Sequence, residues 1–303
     1  MTSLWDIKGD NLDPGYINIQ NAGSVTERQL RDALSALWAC YEPYADPDFR
    51  EGFAHDPEGR FWEMYVGYKL LRDGKKLMPT AERVRGGGQP DICVLEGDRR
   101  IWIEAIAPAC GDGEDDGVRG PIPINEGGGF AAAPVRQAQL RTTGALRKKE
   151  QKLTDYIDQG VIARDDIRLV AIGAGRFGVS VPEEPQPLIL SAVFPIGDEY
   201  VTINSETGDV TDHGFVFSPE IQRRGAAVQR TAFLDKTFSH VSGIIWSRVG
   251  IGNMSEEARP LSFVHNPLAT YPMIRHWGVW NREFVTTQHG DGWQVSDILA
   301  EAT

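Results

Sequence analysis

Apolar residues recur at helical spacing in two N-terminal stretches. Leu30, Ala33, Leu34 and Leu37 form the stripe of a helix that runs to about Cys40. Ser24-Val25-Thr26-Glu27 opens it as a capping box, with the acid three residues after the cap. Pro43 and Pro47 then break the chain. Phe61, Met64, Tyr65, Tyr68 and Leu71 mark a second helix over Pro57–Arg72, closed by Asp73-Gly74. Gly86-Gly87-Gly88 reads as a loop. Asp91–Leu95 and Ile101–Ile106 are β-rich runs around a turn at Gly97-Asp98, which predicts a hairpin.

The pattern changes beyond that hairpin. Residues 109–134 are rich in Gly, Pro and acids and predict a long loop. A long helix over Pro134–Asp158 follows, then a buried strand at Arg168–Ile172 and a rigid linker at Pro182–Pro187. Leu188–Pro195, Glu199–Asn204, Val241–Trp246 and Leu261–His265 read as strands. Phe284–Trp293 reads as a hairpin turned at Gly290-Asp291-Gly292. No repeat of solenoid period occurs. The chain therefore predicts a single α/β domain over 1–303. Its N-terminal segment (about 1–56) is helical, its core lies at about 57–175, and its C-terminal part (about 188–303) is β-rich.

Composition fits a globular chain, with 41% apolar and 24% charged residues. No run approaches the roughly 18 apolar residues of a membrane span. The first residues lack a basic start and an apolar stretch, so no secretion leader is expected. Cys40, Cys93 and Cys110 are scattered and form neither a CxxC pair nor a disulfide framework. A cytoplasmic setting is the expectation. The net charge of −12 opposes a strong non-specific grip on DNA, which depends on many Lys/Arg–phosphate contacts. A cluster of metal-binding carboxylates would contribute to that charge. Arg136, Arg141, Arg147, Lys148, Lys149 and Lys152 supply a local basic stripe.

Three carboxylates stand out by order. Glu63 lies on a helix, Asp91 opens a strand, and Glu104 lies on the next strand within Ile-Trp-Ile-Glu-Ala-Ile. Strand alternation puts Trp102, Glu104 and Ile106 on one face and Ile101, Ile103 and Ala105 on the other. An unpaired buried carboxylate is costly, and a metal ion or a basic partner removes the cost. A salt bridge to Arg83, Arg85 or Arg141 would also do so. A hairpin brings Asp91 and Glu104 to the same end, where oxygen ligands suit a hard cation.

Glu63 in Phe-Trp-Glu-Met-Tyr, the pair Pro90-Asp91 and Glu104 together resemble the PD-(D/E)XK nuclease superfamily, over about residues 57–175. The resemblance implies a restriction-endonuclease-like core, a mixed β-sheet flanked by helices. It implies Mg²⁺ (or Mn²⁺) held by Asp91 and Glu104, with Glu63 completing the site. It also implies Mg²⁺-dependent phosphodiester hydrolysis, an endonuclease activity on nucleic acid, DNA before RNA. In the family, a lysine two positions after the second carboxylate positions or activates water. Here that position holds Ile106. In some members the lysine moves to a neighbouring helix. Lys149 lies three residues after Leu146 and four before Leu153, on the apolar face of the long helix, and is the expected substitute. Lys148 and Lys152 fall on a flank with Arg141, suited to phosphate contacts.

Two other readings follow. The missing lysine and the acidic charge also suit a catalytically inactive nuclease-like fold that acts as a binding or assembly protein. Gly173-Ala174-Gly175-Arg176-Phe177-Gly178 is a GxGxxG after a predicted strand. A dinucleotide site needs a helix to start within such a loop, and Val179-Ser180-Val181-Pro182 does not start one. His55, His213, His240, His265, His276 and His289 show no metal-ligand spacing.

Overall fold

The computed structural model describes residues 2–83, 88–119, 132–180, 183, 186–254, 261–290 and 292–300. The chain runs through α1 (Pro14–Asn21), α2 (Val25–Tyr41), α3 (Phe49–His55) and α4 (Pro57–Arg72). Strands β1 (Lys76–Leu77), β2 (Ile92–Glu96) and β3 (Arg99–Ile106) follow, then α5 (Val135–Asp158) and β4 (Ile167–Gly173). Next come α6 (Leu188–Val193), β5 (Ile196–Ile203), β6 (Val210–Phe217), β7 (Glu220–Ile221) and β8 (Val228–Gln229). The last strands are β9 (Gly243–Ser247), β10 (Ser262–His265), β11 (Arg282–His289) and β12 (Gly292–Asp297). The chain's contacts cluster into two compact units. The first comprises 1–108, 145–176 and 240–303, and the second comprises 109–144 and 177–239.

The first unit is α/β. Its mixed eight-stranded sheet has the order β1-β2-β3-β4-β9-β10-β11-β12. β3, β4 and β9 run parallel, as do β10 and β11, and the other neighbouring pairs are antiparallel. Every residue of β4, β9 and β10 is buried, as expected of central strands covered on both faces.

Helices flank this sheet. On one face, aromatic residues of α1–α4, among them Tyr16, Tyr41, Phe53, Phe61 and Trp62, pack with Ile101, Ile103, Ala105, Leu169 and Phe263 in one hydrophobic core. The Trp62 indole donates to the Ala171 carbonyl at 2.9 Å, pinning α4 to β4. Gly173 permits that approach, because a Cβ there would lie 2.6 Å from the Trp62 ring. Leu146, Leu153 and Tyr156 of α5 are buried and carry the helix's apolar stripe.

The local signals act as expected at several places. The Ser24 hydroxyl accepts from the Glu27 N–H at 3.1 Å, and the Glu27 carboxylate accepts from the Ser24 N–H at 2.7 Å. Asp56 caps α4 by accepting from the Gly59 N–H at 3.0 Å, with Pro57 at the first helical position. Gly97, at φ 58°, supplies the left-handed turn that joins β2 to β3. The turn after β4 is 3₁₀ and breaks at Gly178, so no α-helix begins within the GxGxxG segment.

In the second unit, α6 corrects the expected strand at Leu188–Pro195. A short apolar run does not separate a buried strand from a buried helix by periodicity, and all but one residue of Leu188–Val193 is buried. The short helices α1 and α3 and strand β6 lack a clear periodic signal in the sequence. Gly86 and Gly87, residues 120–131 of the Gly/Pro-rich loop, Arg85, Asp291 and much of the Pro182–Pro187 linker lie outside the described residues.

Candidate functional site

The β2–β3 register places Ile92 opposite Ile103 and Cys93 opposite Trp102. One step further, Asp91 comes opposite Glu104, on the face away from Ile101 and Ile103. The Asp91 carboxylate accepts from the Ala105 N–H at 2.7 Å, so the backbone of β3 fixes its side chain. Arg83 holds the other side of this residue. Its buried guanidinium donates to the Pro90 carbonyl at 3.3 Å and the Asp91 carbonyl at 3.0 Å. Arg83 therefore orders the chain entering the site and does not neutralise Glu104.

Glu104 is wholly buried, and two lysines of α5 meet it. Lys149 donates to Oε2, and its Nζ stands 3.7 Å from Asp91 Oδ2, so one ammonium bridges both carboxylates. Lys149 shares its helix face with buried Leu146 and Leu153, as its spacing predicts. Lys152 Nζ lies 3.0 Å from Glu104 Oε1 and 3.2 Å from Oε2, but only the Oε2 contact has hydrogen-bond geometry. Burial, followed by the Asp91 charge, raises the Glu104 pKa against the opposing pull of Lys149 and Lys152. Burial works against the Lys152 ammonium too, but Glu104 and Asp91 outweigh it and raise its pKa.

Glu63 arrives from α4. Its Oε1 accepts from the Tyr41 hydroxyl at 2.9 Å and its Oε2 from Arg60 at 2.8 Å. Burial, reinforced by the Asp91 charge, pushes its pKa up to about 8 despite Arg60 and the hydrogen bonds. Tyr41, fully enclosed beside Glu63 and Asp91, holds its phenolic proton well above the ordinary pH for a tyrosine. Tyr156 lies on the α5 side, beneath Lys152, whose Nζ is 5.4 Å from the ring centroid. Its hydroxyl donates to the Gln89 carbonyl at 3.0 Å.

Glu63, Asp91, Lys149 and Lys152 line a cleft of about 350 Å³, with Glu104 buried beside it. Arg60 and Glu63 of α4 form one wall, Lys148, Lys149 and Lys152 of α5 another, and Asp91 with Ala105–Ala107 the floor. Glu63, Asp91, Glu104, Lys148, Lys149 and Lys152 thus come together within the first unit. Lys152 differs in detail from expectation, because it reaches inward to Glu104. Arg141 belongs to the second unit, where it pairs with Asp116 at 3.1 Å and donates to the Asp116 carbonyl at 2.9 Å.

Arg60, Tyr41 and Tyr156 are the site residues that the sequence reading missed. Arg60 had a usable signal, three residues before Glu63 on the same helical face. Tyr41 had none, because its partner lies on another helix.

The donor chemistry suits a hard cation in part. Asp91 and Glu104 offer carboxylate oxygens side by side, and Glu104 Oε1 is buried without an aligned donor. Among the described residues no group of three or more His, Cys, Asp or Glu side chains is gathered closely enough to hold an ion. Glu63 is occupied by Arg60 and Tyr41, and Lys149 stands between the other two acids. No protein-family model, curated protein or solved structure matches this chain, so the functional reading rests on the site itself.

Proposed function

We propose that the chain is a metal-dependent nuclease with a restriction-endonuclease-like core, hydrolysing phosphodiester bonds of nucleic acid at the cleft between α4 and α5. The observation that carries this reading is the Lys149 bridge. A lysine from a separate helix meets Asp91 and Glu104, although Ile106 stands where the lysine motif would place it.

In this reading Asp91 and Glu104 would hold Mg²⁺ or Mn²⁺, with Glu63 completing the site. The ion would supply Lewis-acid polarisation of the phosphate and a more acidic water. The chain's own groups do the rest. Asp91 is held by the Ala105 N–H and Arg83, so its carboxylate is ordered before any ligand arrives. Lys149 orients the attacking water by donating to it. Lys148 and Lys152, at the cleft wall, bind phosphate oxygens. Arg60 keeps Glu63 turned into the cleft. As the water oxygen bonds to phosphorus, the ester P–O bond breaks; one water proton passes to solvent in the open cleft, and the leaving oxygen takes a proton from solvent.

The test is incubation of the purified protein with duplex and single-stranded DNA and RNA, with Mg²⁺ or Mn²⁺ against EDTA. Cleavage that EDTA and Glu104→Gln each abolish supports the reading. Absence of cleavage together with absence of metal binding rejects it.

A second reading has its own observation. Lys149 and Lys152 already balance the charges of Asp91 and Glu104, which suits a nuclease-like fold retained for binding or assembly. Calorimetry separates the two, because this reading expects no heat of Mg²⁺ or Mn²⁺ binding at Asp91 and Glu104.

A further inference from the structure

The second unit carries a hairpin of unusual surface. Among the described residues, β5 and β6 pair with each other and with no other strand. Each therefore leaves an outer row of main-chain N–H and C=O groups without a strand partner. A two-stranded hairpin is marginal in water by itself, and an open edge invites a further strand.

Its side chains are equally unfinished. Tyr200, Val201, Ile203, Val210, Val216 and Phe217 are between 39% and 74% exposed. They make up more than half of the large apolar side chains exposed among the described residues. Tyr200 and Val201 are neighbours, so they point to opposite faces, and both are exposed. Neither face of the outer hairpin is covered.

Charge narrows the occupant. The hairpin bears Asp198, Glu199, Glu206, Asp209 and Asp212 and no Lys or Arg. Glu199 pairs with His213 at 2.7 Å, and Asp212 accepts from the Tyr200 hydroxyl at 3.1 Å; the side chains of Glu206 and Asp209 are exposed. Such a surface repels nucleic acid. It also repels a second copy of a chain with net charge −12.

We infer that the β5–β6 hairpin is a docking edge for a partner protein, taking an extended segment that alternates basic and β-branched residues. The segment adds a third strand. Its main chain completes the open edge, its apolar side chains cover Val201 and Val210, and its lysines or arginines meet Asp209 and Asp212. This inference stands apart from the nuclease reading, since it uses none of the same residues.

The test uses the full chain and a short capped peptide of alternating Lys and Val as probe, followed by calorimetry. A Glu-Val peptide and a Lys-Val peptide N-methylated on alternate residues serve as controls. The Lys-Val peptide should bind, and raising salt from about 0.05 to about 0.5 M should weaken it at least about tenfold. The Glu-Val and N-methylated peptides should bind at least about tenfold more weakly. Two variants at exposed positions, Val201→Asn with Val210→Asn, and Asp209→Lys with Asp212→Lys, should each lose most of the affinity while keeping the wild-type thermal melt. Failure of the Lys-Val peptide to bind, equal binding of the controls, or unchanged affinity in both variants overturns the inference. So does a dimer in sedimentation velocity that Val201→Asn dissociates, since the occupant would then be a second copy.

Discussion

Lys149 of α5 hydrogen-bonds Glu104 of β3 and stands 3.7 Å from Asp91, so one ammonium closes two carboxylates that lie 45 and 58 residues earlier in the chain. Glu104 is fully buried and Lys149 nearly so. Each buried charge is held by the other, with Lys152 and Asp91 as further partners.

Removing one partner alone should therefore be costly. Glu104→Ala takes from buried Lys149 its hydrogen-bonded partner and should lower stability by about 3–5 kcal/mol. Glu104→Leu combined with Lys149→Met should recover most of that loss, because the buried pair disappears together. Urea unfolding of the two variants and wild type, with unchanged m-values, measures the difference.

The acidity of Glu63 gives a pH signature. An ordinary glutamate loses its proton near 4.5, but the folded Glu63 carboxyl keeps it to about 8. Between those values only the folded state holds the proton, so this group's contribution to stability falls as pH rises and levels off above about 8. Glu63→Gln cannot titrate. The urea midpoint of wild type relative to Glu63→Gln should therefore decline from pH 5 to pH 8. A constant difference would show that Glu63 ionises normally.

Trp62 and Gly173 fix α4 against β4, and Glu63 is next to Trp62 in sequence. Gly173→Ala sets a methyl carbon 2.6 Å from the indole, which must shift. The expected loss is about 1–3 kcal/mol, the usual cost of overpacking, read as a lower thermal midpoint. An unchanged midpoint would mean that α4 adjusts freely and does not hold Glu63 in place.

Much of this architecture is legible in the chain. The capping box at Ser24 and Glu27, the stripe from Phe61 to Leu71 and the Gly97 turn are local signals, and each forms the predicted element. The face of Glu104 follows from strand alternation, and that of Lys149 from its spacing to Leu146 and Leu153. What was hidden is what depends on contacts distant in sequence. Leu188–Val193 is apolar throughout, so only packing decides between helix and strand, and it becomes α6. Helical spacing puts Lys152 on a flank, because spacing is blind to a long side chain that folds inward to a buried acid. Tyr41 meets Glu63 across two helices, and nothing within α2 marks it.

Lys149 and its neighbour Lys148 should separate in kinetics if the nuclease reading holds. Lys149→Met should reduce the cleavage rate by about 10²–10⁴-fold, the usual contribution of a group that positions or activates the nucleophile. Lys148→Ala should mainly weaken substrate binding and flatten its salt dependence. Single-turnover rates across substrate concentrations distinguish the two. Equal effects on rate and on binding in both variants would deny Lys149 a distinct role.

The most direct measurement is cleavage of mixed DNA and RNA substrates by wild type and Glu104→Gln, with Mg²⁺, Mn²⁺ or EDTA, beside calorimetric titration of the same ions. Wild type should cleave in a metal-dependent way and Glu104→Gln should not, with ion binding lost in the variant. Wild-type protein that neither binds the ions nor cleaves any of the substrates would contradict the nuclease reading.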